Sequence, residues 1–195
     1  NLDGHLLPGL SPIGVPRNLI NTTKTFEYNN FTEFKQKIES DNQIGIVKME
    51  VARTYEPTNN FLKKIRDYTK KKNIILIFDE CTTGFRECYG GLYQKYKVVP
   101  DMVVFGKAIG NGYPITAVIG KKEIMENASK SFISSTFWSE RIGPTAALAT
   151  ILEMKRIKSW EIISKKGSVI KSRWIKMFKN LNLEVDVWGL SAIIG

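Results

Sequence analysis

The sequence predicts an α/β fold with a mostly parallel central sheet flanked by helices. Three observations carry this expectation. Ile74-Ile75-Leu76-Ile77-Phe78 is an unbroken apolar run rich in β-branched residues, the pattern of a strand covered on both faces. Strand-like runs alternate with amphipathic stretches at helical spacing, which implies crossover connections. The 195 residues are 43% hydrophobic and 25% charged, enough for one core and unlike disordered, collagen-like or coiled-coil chains.

The elements follow in order. Gly4, Pro8, Gly9, Pro12, Gly14 and Pro16 mark residues 1–25 as a long loop, apolar enough to pack against something. Phe31, Phe34 and Ile38 share one face of a helix over 31–40, and Ile44 to Glu50 reads as a buried strand. Thr58 is placed to cap a helix reaching Lys72, with Phe61, Leu62, Ile65 and Tyr68 inward. The strand at 74–78 ends in Asp79-Glu80, and a second strand, 101–105, runs into Gly106-Lys107. A short strand over 115–119 and a short helix over 121–127 come next. Long helices are expected over 140–158 and 160–178, then strands over 183–187 and 191–194.

Composition narrows the function. Two cysteines, Cys81 and Cys88, and one histidine, His5, exclude a disulfide framework and a Cys/His zinc site, so no metal is expected. A His-dependent triad would have to use His5, in a Gly/Pro-rich stretch. Free cysteines favour a cytoplasmic location. No apolar run is long enough to span a bilayer, and no membrane partner is expected. The net charge of +10 raises nucleic-acid binding as an alternative, which predicts strongly salt-dependent duplex affinity. Against it, the basic clusters over 63–72 and 155–179 read as solvated helix faces, and they are mostly Lys, with three Arg. No nucleic-acid partner is therefore expected.

In a parallel α/β sheet, ligands bind beyond the carboxyl ends of the strands. Apolar runs feeding into Asp79 and Lys107 place an acid and an amine on that rim. On spacing alone, Asp79 also fits a turn cap and Lys107 a surface lysine. The segment Gly106-Lys107-Ala108-Ile109-Gly110-Asn111-Gly112-Tyr113-Pro114 lets backbone approach a ligand closely. It lacks the spacing of a Walker phosphate loop or a dinucleotide fingerprint. A lysine desolvated in such a loop is a nucleophile toward carbonyls.

Asp79-Glu80-Cys81-Thr82-Thr83-Gly84-Phe85-Arg86 resembles the "DEV-x-x-GFR" segment of class III pyridoxal-phosphate-dependent aminotransferases. Pro100 to Pro114 resembles their "PD-x-x-x-x-GK-x-x-x-x-G-x-P" segment, in the same order and at a matching separation. Within the class the resemblance is closest to the glutamate-1-semialdehyde 2,1-aminomutase-like group. It runs from the Leu2–Gly14 loop to about Lys158. It implies the large domain of a fold-type-I pyridoxal-phosphate-dependent transferase.

The resemblance also implies roles. Lys107 would hold pyridoxal 5'-phosphate as an aldimine and act as general base. Asp79 would pair with the pyridine nitrogen and keep the ring an electron sink. Cys81 would pack on the ring face. Thr136 would bind the cofactor phosphate of a neighbouring subunit, which implies a homodimer with shared active sites; it also fits a helix cap before Glu140. Glu50 matches a glutamate near the family's active site. The implied reaction passes an amino group between a small-molecule amino donor and a keto or aldehyde acceptor. An inactive binding protein on the same fold is the alternative, set against the presence of both Lys107 and Asp79.

The sequence also departs from the family. The turn that grips the phosphate, the aromatic that stacks on the ring and the C-terminal small domain are not recognisable. The chain is therefore expected to be the middle of a longer enzyme and inactive alone. Residues 1–158 would be the central part of the cofactor-binding domain, and 159–195 a connecting helix and the start of the small domain. Val51 follows Glu50 where many relatives have Pro. Phe137-Trp138-Ser139-Glu140 replaces the Gly-Asn-Pro element of the aminomutase, which favours an aminotransferase.

Overall fold

The computed structural model describes residues 10–195. The chain divides into two compact units, residues 1–44 and 45–195. His5 and the first part of the opening loop lie outside the described residues. In the part of that loop that is described, Leu10 is 60% and Ile13 89% exposed, so the expected packing is not made by these two side chains.

Helix α1 (Phe31–Glu39) forms as its periodicity requires, with Phe34 and Ile38 buried. The Asn30 side chain accepts from the Glu33 amide at 3.0 Å, and Glu33 Oε2 accepts from the Glu27 amide at 2.9 Å. The first of these bonds uses an N–H group that a helix start leaves without a partner. Phe34 packs edge-on to Phe26 at 5.1 Å between ring centres.

In residues 45–195, one sheet has the order β1 (Ile46–Glu50), β2 (Ile75–Glu80), β3 (Met102–Phe105), β4 (Ala117–Gly120). The first three strands are parallel, and β4 is antiparallel to β3. The pleat sends Val47, Met49, Leu76, Phe78, Val103 and Phe105 to a buried face. Ile75 and Ile77 point the other way and are only half-buried, although their sequence is apolar throughout.

Helix α2 (Phe61–Lys71) makes the crossover from β1 to β2, burying Phe61, Leu62, Ile65 and Thr69. Tyr68, expected inward, is half-buried. The cap is Asn60, in the left-handed region at φ 56°, and the Thr58 carbonyl accepts from the Phe61 amide at 2.8 Å. Asparagine takes that conformation more readily than other non-glycine residues, at a cost of about 1 kcal/mol. Burial of Phe61, Leu62 and Ile65 contributes about 1.5–3 kcal/mol each and outweighs it.

Asp101 ties the opposite end of this sheet together. Its carboxylate accepts from Arg66 at 2.7 Å, from Lys121 at 2.7 Å and from the Leu76 amide at 2.9 Å. Burial pushes this carboxyl up, but the Arg66, Leu76 and Lys121 bonds outweigh that and hold it at about 2. A depressed carboxyl stabilises the fold above its unfolded value near 3.8, and that stability fades as pH falls toward 2. Asp101→Asn in the full-length protein is expected to cost about 3 kcal/mol and to flatten the acid limb of stability against pH. Urea titrations from pH 6 to pH 2 check both. An unchanged acid limb contradicts this role for Asp101.

After β4 come a short helix α3 (Lys122–Met125), then α4 (Ile142–Ile157) and α5 (Ser159–Asn180). Lys158, left-handed at φ 52°, separates the two long helices. A hairpin of β5 (Gly189–Leu190) and β6 (Ile193–Ile194) lies against α5 at Gly167, where a Cβ would collide with the Ser191 carbonyl oxygen. Residues 183–187, expected as a strand, are not one; the two-residue strands β5 and β6 follow them.

Candidate active site

The three parallel strands end in charge on one rim. Glu50 closes β1, Asp79 lies in the last turn of the pleat of β2, and Lys107 follows β3 after Gly106. The register pairs Glu50 with Asp79 across β1 and β2. Alternation then puts Lys48, Glu50, Ile77 and Asp79 on one face of the sheet.

Asp79 is bonded through both oxygens. Oδ1 accepts from the Cys81 amide at 3.1 Å, and Oδ2 accepts from Lys48 Nζ at 2.8 Å. Burial pushes the Asp79 carboxyl up, yet the Lys48 and Cys81 bonds and the charges of Lys48 and Lys107 hold it below the usual range. It is ionised at neutral pH. Glu50 responds oppositely. Burial raises it, and the adjacent Asp79 charge adds to that, against the opposing pull of Arg53 and Lys107. Arg53 Nη1 stands 3.4 Å from Glu50 Oε1.

Lys107 begins a single 3₁₀ turn, Lys107–Ile109, whose anchor Ile109 is buried with Phe85, Val103 and Phe105. Its backbone is left-handed at φ 42°. For a non-glycine residue this stores about 1–2 kcal/mol, which the packed turn must offset. The side chain is exposed, and Nζ donates to Thr82 Oγ1 at 2.7 Å. Cys81 is free and half-buried; a Cβ on Gly106 would approach its sulfur to 2.6 Å. The thiol therefore fills the space between the two strand ends.

Glu80 fixes the loop that carries Cys81 and Thr82. Its fully buried carboxylate accepts from the Thr83 hydroxyl and from the Tyr93 amide, the latter at 2.9 Å. Burial holds this carboxyl above its usual range despite those bonds. The loop is thus pinned at both ends to β2.

Asp79, Glu50, Cys81 and Lys107 are brought together. Thr136 is not bonded to them. It lies in the exposed segment 131–139, with Phe132 98%, Phe137 69% and Trp138 69% exposed. The start of α4 is capped by the Glu140 carboxylate, which accepts from the Ile142 and Gly143 amides and from the Tyr113 hydroxyl. The hydroxyl cluster at 134–136 makes no such cap. Lys48 and Thr82 were not singled out from the sequence. A lysine inside an otherwise apolar strand run was the available signal for Lys48; nothing marked Thr82.

Among the described residues, no group of three potential metal ligands forms and no helix is long and apolar enough to cross a membrane. A cleft of about 520 Å³ lies at the end of α5, lined by Ile175, Phe178 and residues 183–186. It contains none of the residues of the strand-end cluster.

The chain is similar to known proteins in sequence and in fold. The aminotransferase class III family model matches residues 52–195. Glutamate-1-semialdehyde 2,1-aminomutase of Methanothermobacter thermautotrophicus is 33% identical over 90% of this chain and 44% of its own length. The 3-aminobutyryl-CoA aminotransferase of Cloacimonas acidaminovorans is 32% identical over 90% of this chain, again 44% of that protein. The fold matches the PLP internal aldimine form of the FumI protein of Sphingopyxis sp. MTA144, with a TM-score of 0.77 and 21% identity. That match covers 86% of this chain and 42% of the other. The chain thus spans less than half the length of these proteins, and within that span it belongs to the class III aminotransferase family.

Proposed function

We propose that the full-length protein carrying this chain is a pyridoxal-phosphate-dependent enzyme that moves an amino group between small molecules. The observation that carries the reading is the placement of an ionised Asp79 and an exposed Lys107 amine on one strand-end rim. These residues fit the cofactor. A protonated ring nitrogen needs an anion, and Asp79 is held ionised. A carbonyl carbon needs an accessible amine, and Lys107 supplies one.

When bound, pyridoxal phosphate supplies an electron sink for the carbanion formed at the substrate Cα. Asp79 holds the proton of the ring nitrogen. Lys107 Nζ is the covalent anchor and the proton carrier at Cα. Thr82 Oγ1 orients that amine. Cys81 fills the gap beside Gly106. Glu50 adds a second carboxyl next to Asp79. Two free cysteines suit a reducing cytoplasm. Residues 1–158 serve as the central part of the cofactor domain and 159–195 as the link to a second domain.

The relatives include aminomutases and an aminotransferase, so amino-group transfer is the chemistry they share. The test is transfer of ¹⁵N from a labelled amino acid to a keto or aldehyde acceptor by the full-length protein with pyridoxal phosphate. Glutamate 1-semialdehyde and β-amino acids are included as substrates. Label in the product supports the reading; retention of all label in the donor, with cofactor bound, overturns it.

The same reading includes a homodimer in which Thr136 completes the partner's cofactor site. Its support is the exposure of Thr136 beside three exposed aromatic side chains, a polar and apolar surface suited to a buried contact. Mixing Lys107→Ala with Thr136→Ala subunits concentrates both lesions in one site of each mixed dimer and leaves the other intact. Random exchange is expected to restore roughly a quarter of wild-type activity. No rescue after demonstrated exchange means that Thr136 serves its own subunit.

A further inference from the structure

Asp79 already has a cationic partner within this chain. Lys48 lies two residues before Glu50 on β1, on the same face, and opposite Ile77 in the β2 register. Its side chain runs along the sheet toward the strand ends, and Nζ reaches Asp79 Oδ2 at 2.8 Å. The neighbouring charges are otherwise engaged. Glu50 sits with Arg53 at 3.4 Å, and Lys107 donates to Thr82 at 2.7 Å. The two oxygens of Asp79 thus differ in kind. Oδ1 is held by the Cys81 backbone amide, which is fixed by the Glu80-pinned loop. Oδ2 is held by a flexible side chain that is 60% exposed and free to swing into solvent.

We propose that Lys48 is the resident counter-ion of Asp79 and sets how strongly the site discriminates for a ring bearing a protonated nitrogen. This rests on the reading of Asp79 as the partner of that nitrogen. A carboxylate with no other partner offers its full charge to the incoming N–H. A carboxylate shared with Lys48 offers less, and the ring must displace the amine or divide Asp79 with it. Lys48 therefore lowers the advantage of a cationic ring over an otherwise identical ring with carbon in that position. The exposure of Lys48 limits the effect to that of a solvent-screened pair, on the order of fivefold.

The experiment measures equilibrium dissociation constants in the full-length apoprotein for pyridoxal phosphate and for its 1-deaza analogue, which has C–H in place of the ring nitrogen. The quantity read is the ratio of the two constants. Because both ligands meet the same protein sample, partial loss of folded protein cancels. Lys48→Gln and Lys48→Met are expected to raise the preference for the nitrogen-bearing ring about fivefold. Lys48→Arg, which keeps the cation, should leave it near wild type. An unchanged or lowered preference in both neutral variants overturns the proposal. Asp79→Asn is the control on the underlying reading and should bring the ratio close to one. If it does, while the Lys48 variants leave the ratio unmoved, only the role of Lys48 falls. If Asp79→Asn leaves the preference intact, Asp79 is not the partner of the nitrogen, and both readings fall together.

Discussion

Lys107→Ala in the full-length protein is expected to lower turnover by on the order of 10⁴-fold or more. Two contributions go at once. The covalent anchor is lost, and so is a general base, which alone is worth about 10²–10⁴. The fold should survive. The side chain is exposed and donates to Thr82, which remains free to bond water. Alanine at φ 42° carries a strain like that of the lysine it replaces. Asp79 and the rest of the site still hold cofactor without a covalent bond, so binding should persist more weakly. Steady-state rates with dialysis of bound cofactor separate the two effects. Near-normal turnover contradicts the assignment of Lys107.

Asp79→Asn is expected to reduce kcat by about 10²–10³-fold with a much smaller change in KM. The amide is isosteric, and its oxygen can still accept from the Cys81 N–H. What disappears is the negative charge that keeps the ring nitrogen protonated, an electrostatic contribution realised mainly in the transition state. Stability should change little, because the lost ion pair joins Asp79 to a lysine that is 60% exposed. A rise in KM with kcat intact contradicts this role, since it would mean that Asp79 contributes only to binding.

Both residues were legible in the sequence for one physical reason. A buried parallel strand is an apolar run, and the first charged residues after it must lie at its carboxyl end. Asp79 and Lys107 are such residues. Lys48 was not legible in the same way. Its partner is fixed by the register of β1 against β2, a pairing between residues some thirty positions apart that no local pattern encodes. Thr82 depends on a loop shaped by the Glu80 bonds across thirteen residues. Helix ends were misplaced where side chains compete for the same amides. Glu140 caps α4 from outside instead of beginning it. Residues 183–187 have strand-like composition, but a strand exists only where a neighbour supplies hydrogen bonds, and the hairpin that forms pairs Gly189–Leu190 with Ile193–Ile194.

The most direct test of the central claim is to locate the covalent attachment of pyridoxal phosphate. The full-length protein is loaded with cofactor, reduced with borohydride, digested and mapped by mass spectrometry. The many lysines of this chain make the experiment discriminating, since most are exposed and open to unspecific modification. The account predicts a single stoichiometric adduct on Lys107, formed at low cofactor concentration and abolished by Lys107→Ala without a replacement site appearing. Label spread over several surface lysines, or concentrated on Lys48, contradicts it.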